Sequence, residues 1–227
     1  MKLIFQGKTK DVYDNQDGTY TLKFKDDATG KDGVFDPGEN QVGLSIEGLG
    51  RESLTLSKYF FEKFNAAGIP TQYLGCDLDE VTMRVRPIKH FGHGLEFVCR
   101  CTAGGSFIRR YGAYAVPGQD LGYLVEVTLK DDDRADPPIT KDSLIALNIM
   151  SEEAFETCKA LTKKIAKALA ADLNEKGLVL ADMKFEFGRT SDGEIVLIDE
   201  ISAGGMRVFQ NGELVAPMAL TKLILGD

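Results

Sequence analysis

The stretch Asp182-Met183-Lys184-Phe185-Glu186-Phe187-Gly188, followed after a short turn by Ile195-Val196-Leu197-Ile198-Asp199-Glu200, decides how this chain reads. Alternate residues of an extended strand share a face. Asp182, Lys184 and Glu186 are therefore predicted to project together, while Ala181, Met183, Phe185 and Phe187 point into a core. Ser191-Asp192-Gly193 supplies the turn, and Asp199 and Glu200 close the next strand. Two strands would bring carboxylates and an ammonium to one place. Carboxylate oxygens are hard ligands suited to Mg²⁺, which holds polyphosphate through oxygens of its own. An exposed sheet face laced with ion pairs would use the same residue types, but the coincidence with Asp199-Glu200 favours nucleotide chemistry.

Working outward, 227 residues suffice for one large domain or two small lobes sharing a cleft. A net charge of −8 argues against nucleic acid as a partner, because binding a phosphate backbone needs a net basic surface. Small anionic substrates fit, since a locally basic cleft can sit in an acidic protein. Of the cysteines, Cys76, Cys99, Cys101 and Cys158, none forms a C-x-x-C pair. Cys99 and Cys101 are spaced poorly for a mutual disulfide. His90 and His93 lie near no cluster with zinc spacing. Reduced, buried thiols in a cytoplasmic protein are expected. The opening Met1-Lys2-Leu3-Ile4-Phe5 is too short for a signal sequence, and no apolar run is long enough to span a membrane.

The first eighty or so residues read mostly as strands: Leu3-Ile4-Phe5, Asp11-Val12-Tyr13 and Tyr20 to Phe24, separated by Gly7 and Asn15-Gln16-Asp17-Gly18. A Gly- and Asp-rich loop is expected from Asp26 to about Gly50. A helix follows from Ser53 to Ala67, with Leu56, Phe60, Phe61 and Phe64 on its apolar face and Gly68 as its stop. Pro70 to Gly75 and Val81 to Val85 continue the sheet, and Pro87 to Gly94 reads as a hinge. Leu95 to Cys101 and Tyr123 to Leu129 are further strands. The longest helix should start at the N-cap Ser151 with Glu152 and Glu153 in its first turn. Its stripe is Phe155, Cys158, Leu161, Ile165, Leu169 and Leu173, and Gly177 ends it.

Three other segments can carry chemistry. Gly7-Lys8-Thr9-Lys10 sets two ammonium groups beside a glycine turn, where they can hold phosphates as point charges. Taken alone, surface lysines on a solvated hairpin are the better local reading. Neither a P-loop nor a G-x-G-x-x-G fingerprint is present, and Gly48-Leu49-Gly50 reads as plain loop. Arg100-Cys101-Thr102-Ala103-Gly104-Gly105-Ser106 enters an apparently helical Phe107-Ile108-Arg109-Arg110. Its backbone N–H groups, the Ser106 hydroxyl and the Arg100 guanidinium suit an anion; a capped helix with an incidental arginine is as good a local reading. Lys130-Asp131-Asp132-Asp133-Arg134-Ala135-Asp136-Pro137-Pro138 is a charged loop, and Arg207 extends beyond the acidic strands toward the same cleft.

Taken together, the segments resemble the SAICAR synthetase family, the phosphoribosylaminoimidazole-succinocarboxamide synthases of purine biosynthesis. The resemblance runs in order through Gly7-Lys8-x-Lys10-x-Val12-Tyr13, Lys25-Asp26-Asp27-Ala28-Thr29, Gly68-Ile69-Pro70-Thr71 and Glu96-x-x-x-Arg100-x-x-Ala103-x-Gly105-Ser106-x-x-x-Arg110. It continues through Lys130-x-Asp132-x-x-x-Asp136-Pro137, Asp182-x-Lys184-x-Glu186-Phe187-Gly188 and Asp199-Glu200-x-Ser202-x-x-x-x-Arg207. It implies an α+β, two-lobed fold with an antiparallel β-rich N-terminal lobe over 1–86 that binds ATP. An α+β C-terminal lobe over 87–227 would carry the metal and substrate sites, with the ATP cleft between the two.

The implied activity is ATP-dependent joining of carboxyaminoimidazole ribonucleotide to L-aspartate through an acyl phosphate. By resemblance Lys8 and Lys10 hold ATP phosphates, with Glu186 and Asp199 as nucleotide-site residues that ligate Mg²⁺. Arg100, Ser106, Arg207 and Lys130 bind the ribonucleotide. Lys184 neutralises the transferring phosphoryl group, and Asp182 joins it in the catalytic set. The implied partners are small molecules, with no nucleic acid or membrane, and a homodimer is left open.

This chain departs from the family pattern at several places. Cys101 stands for a usual Asn, Ala203-Gly204 for Pro-Asp, Phe209 for Trp, and Gly50-Arg51-Glu52-Ser53-Leu54 for Gly-Val-Leu-Asn-Asn. A customary terminal helical segment after Arg207 is not expected. A paralogous amide ligase with a changed carboxylate or amine, a small-molecule kinase using the same cleft, and a non-catalytic nucleotide sensor stay open beside the purine reaction.

Overall fold

The computed structural model describes residues 1–36, 38 and 41–226. Strands β1 (Lys2–Gln6), β2 (Lys10–Asp14) and β3 (Tyr20–Phe24) open the chain, followed by β4 (Asp27–Lys31), β5 (Val34–Phe35) and β6 (Val42–Ser45). Next come α1 (Leu49–Ala66), β7 (Tyr73–Asp77), β8 (Thr82–Val85), β9 (Lys89–His90), β10 (Leu95–Thr102), α2 (Gly105–Tyr111) and β11 (Asp120–Leu129). The chain ends with α3 (Lys141–Ala146), α4 (Glu152–Asn174), β12 (Val179–Arg189), β13 (Ile195–Ile198), β14 (Met206–Gln210), β15 (Glu213–Leu214) and α5 (Pro217–Leu225). Two compact units result: Met1–His90 with Phe187–Gly204, and Phe91–Glu186 with Gly205–Asp227.

The first unit holds an antiparallel sheet in the order β1-β2-β3-β8-β7 and a small β5-β4-β6 sheet. Helix α1 packs on β3 and β7. Leu54, Leu56, Phe60, Phe61 and Phe64 of its inner face are buried, as are Leu22, Phe24, Met83 and Val85 of the sheet. Each such side chain contributes about 1.5–3 kcal/mol when fully buried. Phe61 stacks on Tyr73 with ring centroids 5.6 Å apart. The helix begins at Leu49, earlier than the expected Ser53, because a distant side chain caps it. Asp26 accepts from the backbone N–H of Gly48 at 3.0 Å and of Gly50 at 2.9 Å. This satisfies donors that the helix leaves orphaned, a bond between residues far apart in sequence that local patterning does not reveal. The expected loop from Asp26 to Gly50 is largely β4, β5 and β6 instead; its Pro37, Glu39 and Asn40 lie outside the described residues.

The second unit is built on an antiparallel sheet in the order β11-β10-β12-β14-β15. Helix α4 covers β10 and β11, and Phe155 meets Phe97 with centroids 6.1 Å apart. Ser151 caps α4 as expected, its hydroxyl accepting from the Ala154 N–H at 3.2 Å. Phe155, Cys158, Ile165, Leu169 and Leu173 of the expected stripe are buried. Strand β12 is central and buried on both faces, so Asp182 and Glu186 are not on a solvated sheet face. Its last residues, with Gly188 and Arg189 paired to β9, belong to the first unit. A short helix, α5, does follow Arg207. Among the described residues no helix is long and apolar enough to cross a membrane.

Candidate active site

In the second unit, register decides which charges meet. Arg100 of β10 lies directly across from Asp182 of β12, and Asp182 lies across from Arg207 of β14. Directly opposed residues of antiparallel strands are the closest neighbours on a sheet face, so one carboxylate serves two guanidiniums. Arg100 Nη1 donates to Asp182 Oδ2 at 3.2 Å, Nη2 to Ser106 Oγ at 2.8 Å and Nε to Glu126 Oε2 at 3.0 Å. Arg207 donates to the two Asp182 oxygens at 3.0 and 2.5 Å. Arg110 Nη2 reaches the other Glu126 oxygen at 2.5 Å. Three guanidiniums thus face two carboxylates, leaving an excess of positive charge suited to a phosphate or carboxylate.

One register step along β12 a second group forms. Glu96 and Glu186 are direct cross-strand partners. Lys184 Nζ donates to Glu96 Oε1 at 2.8 Å, Thr128 Oγ1 donates to Glu96 Oε2 at 2.9 Å, and Lys130 Nζ donates to Glu186 Oε1 at 2.6 Å. Burial opposes the charge on Lys184, yet the Glu96 and Glu186 carboxylates hold its ammonium above the ordinary range. Lys184 therefore stays cationic wherever the protein is folded near neutrality. Nearby, burial pushes the Asp136 carboxyl up, and the Glu96 charge adds to the effect.

In the first unit, Lys10 of β2 meets the end of β13. Its Nζ lies 3.0 Å from Asp199 Oδ1 and makes a short contact with Glu200 Oε1. Burial again opposes the charge, but Asp199 and Glu200 together raise the Lys10 ammonium well above its usual value. Glu200 also accepts from Ser202 Oγ at 2.6 Å, and Ser202 Oγ accepts from the Gly204 N–H at 3.1 Å. Asp199 adopts a left-handed backbone with φ +66°, a conformation uncommon for residues bearing Cβ, among which aspartate adopts it more readily than most. Lys8 sits half-buried in the turn between β1 and β2.

The structure thus joins Asp182, Arg100, Ser106 and Arg207 in one network, joins Lys184, Lys130 and Glu186 in another, and pairs Lys10 with Asp199. Glu186 and Asp199 fall in different compact units, and among the described residues no three His, Cys, Asp or Glu side chains are grouped to hold a metal ion. Their chemistry nonetheless suits Mg²⁺, since both are hard carboxylate donors. Sequence reasoning did not single out Glu96 and Glu126 as the counter-ions of Lys184 and of the two arginines. Their positions opposite Thr128 and Val98 follow only from register. Cys101, at the family's Asn position, lies at a register irregularity of β10 and, as a free thiol, is hydrogen-bonded to the free thiol of Cys99; that hydrogen bond and burial push its thiol up.

A sequence profile of SAICAR synthetase matches residues 3–219 of this chain. The chain belongs to the SAICAR synthetase family. The phosphoribosylaminoimidazole-succinocarboxamide synthase of Clostridium tetani (strain Massachusetts / E88) is 54% identical over 226 residues, covering 99% of this chain and 100% of that one. A solved SAICAR synthetase superposes with a TM-score of 0.81 at 33% identity, covering 99% of this chain and 92% of the other. A SAICAR synthetase solved in complex with ADP gives a TM-score of 0.86 at 26% identity, covering 98% and 97%. The SAICAR synthetase fold expected from the motifs, mixed α and β with antiparallel sheets, is the one observed.

Proposed function

We propose that this chain joins carboxyaminoimidazole ribonucleotide to L-aspartate with cleavage of ATP, forming SAICAR in purine biosynthesis. The observation that carries the site reading is the Arg100–Asp182–Arg207 clamp with Ser106 on Arg100. It is a cationic seat held rigid before any ligand arrives, as expected of electrostatic preorganisation. Family membership and the ADP-bound relative support the ATP-dependent ligase reading.

In this reading Arg100, Ser106, Arg207 and Lys130 hold the ribonucleotide, and Lys8 and Lys10 hold ATP phosphates. The ribonucleotide carboxylate attacks the γ-phosphorus, the bond to the β-phosphate oxygen breaks, and ADP leaves. The aspartate amine, having lost a proton, then attacks the acyl phosphate carbon, and inorganic phosphate departs with the C–O bond electrons. Lys184, kept cationic by Glu96 and Glu186, neutralises the phosphoryl group in transit. Asp182 sets the two arginines. Glu186 and Asp199 are each hard carboxylate donors that would suit Mg²⁺, whose charge would screen phosphate oxygens.

The test is ADP release from ATP with the ribonucleotide, measured with and without L-aspartate. Release that requires both substrates, with SAICAR formed in equal amount, is the expected outcome. Release with the ribonucleotide alone and no SAICAR would point to a phosphotransferase, and nucleotide binding without release to a sensor.

A further inference from the structure

We propose that Ser57 of α1 is a positioning residue for the acidic segment at the end of β13 and sets how tightly the nucleotide is held. The inference rests on the reading above, in which Lys10 and Asp199 face the nucleotide.

Ser57 is a polar residue on the apolar face of α1, between Leu56 and Phe60, and is 0% exposed. A hydroxyl in such a place costs free energy unless its hydrogen bonds are made. Here they are made in two directions. The Ser57 proton goes to the Ser53 carbonyl one turn back at 2.7 Å, the usual helical arrangement for serine. Its lone pair accepts the backbone N–H of Ile201 at 3.1 Å. Ile201 is itself fully buried, so the helix holds the chain two residues beyond Asp199.

The other side of Asp199 is held as well. Gln72 is tied to β13 through its own backbone, its N–H donating to the Leu197 carbonyl at 2.9 Å. From there Gln72 Nε2 donates to the Asp199 carbonyl at 3.2 Å. The Leu197 and Asp199 carbonyls and the Ile201 N–H are thus all held around a left-handed φ of +66°, a region uncommon for residues other than glycine. Releasing either grip lets the backbone return to negative φ, which swings the carboxylate off Lys10. Ser57 acts through Ile201 and touches neither Lys10 nor Asp199 by any bond described above, so its effect should fall on nucleotide affinity and not on the ribonucleotide or aspartate.

The experiment is calorimetric titration of the full chain and of Ser57→Ala with ADP and Mg²⁺, beside steady-state kinetics for each substrate. We expect the Kd for ADP and the KM for ATP to rise at least fivefold, while the KM values for the ribonucleotide and L-aspartate stay within twofold. A folded Ser57→Ala whose ADP Kd is within twofold of the parent overturns the inference. Should Ser57→Ala not fold, Gln72→Met, which keeps side-chain length but removes the donor, is read the same way, and an unchanged Kd overturns it equally. A parent chain that binds no ADP removes the nucleotide reading of Lys10 and Asp199 together with this inference. ADP binding by the parent with unchanged variants removes only the inference.

Discussion

Arg207 grips Asp182 at two points, Nε to Oδ1 at 3.0 Å and Nη2 to Oδ2 at 2.5 Å. Arg100 approaches the same carboxylate from the strand on the other side. Asp182 is buried, so removing it leaves two guanidiniums without their shared counter-ion. Asp182→Ala should destabilise the protein by about 3 kcal/mol, the scale for breaking a buried ion pair. Denaturant unfolding at neutral pH checks this, and a loss below 1 kcal/mol would mean the clamp is not structural.

Arg207 needs space as well as charge. A Cβ built on Gly105 would lie 1.8 Å from Arg207 Nη1, and Gly105 has φ +49°. Gly105→Ala should therefore push the guanidinium off its seat and raise the KM for the ribonucleotide about tenfold or more, roughly 1.4 kcal/mol of binding. Unchanged kinetics on the ribonucleotide would show that Arg207 does not bind it.

Glu186→Gln and Asp199→Asn are expected to abolish turnover while leaving the melting temperature nearly unchanged. Asparagine tolerates the left-handed backbone of residue 199 as well as aspartate does, so the second substitution removes charge without adding strain. Full activity of both variants over a Mg²⁺ titration would end their assignment to the metal.

These expectations draw unequally on the sequence. The alternation in β12 and the period of α4 reflect burial, which leaves a local pattern, so those elements were legible in advance. The side-by-side placement of Asp182, Lys184 and Glu186 was legible for the same reason. The counter-ions Glu96, Glu126 and Glu200, and the Asp26 cap on α1, depend on strand register or on contacts between distant segments. No local spacing encodes these. The strands at β4, β5 and β6 were missed because glycine and aspartate read as turn formers, although sheet pairing overrides that preference.

Lys10 gains Asp199 and Glu200 on folding, so its folded pKa lies above the ordinary value of 10.5. The stabilisation is therefore complete below that value and is lost as pH rises through the folded one. Lys10→Gln should be less stable than the parent between about pH 7 and pH 9, with the gap closing only above pH 10.5. Parallel unfolding curves across this range decide it. A gap that closes already on going from pH 7 to pH 9 would contradict the pairing.

Gly204 has room for a side chain, since an added Cβ would meet only Ser202 Oγ at 3.5 Å. Gly204→Asp, which restores the family's usual residue, should fold normally and raise kcat/KM for the ribonucleotide. No gain would show that this departure does not limit recognition of the substrate.

Strand β12 is flanked by β10 and β14 and covered on both faces. Its amides should then be among the last in the chain to exchange with deuterium, opening only with global unfolding. Asp182, Lys184 and Glu186 would ride on the least yielding part of their unit. Any adjustment that ligands demand should come from more exposed segments, the turn that carries Lys8 and the loop that carries Lys130.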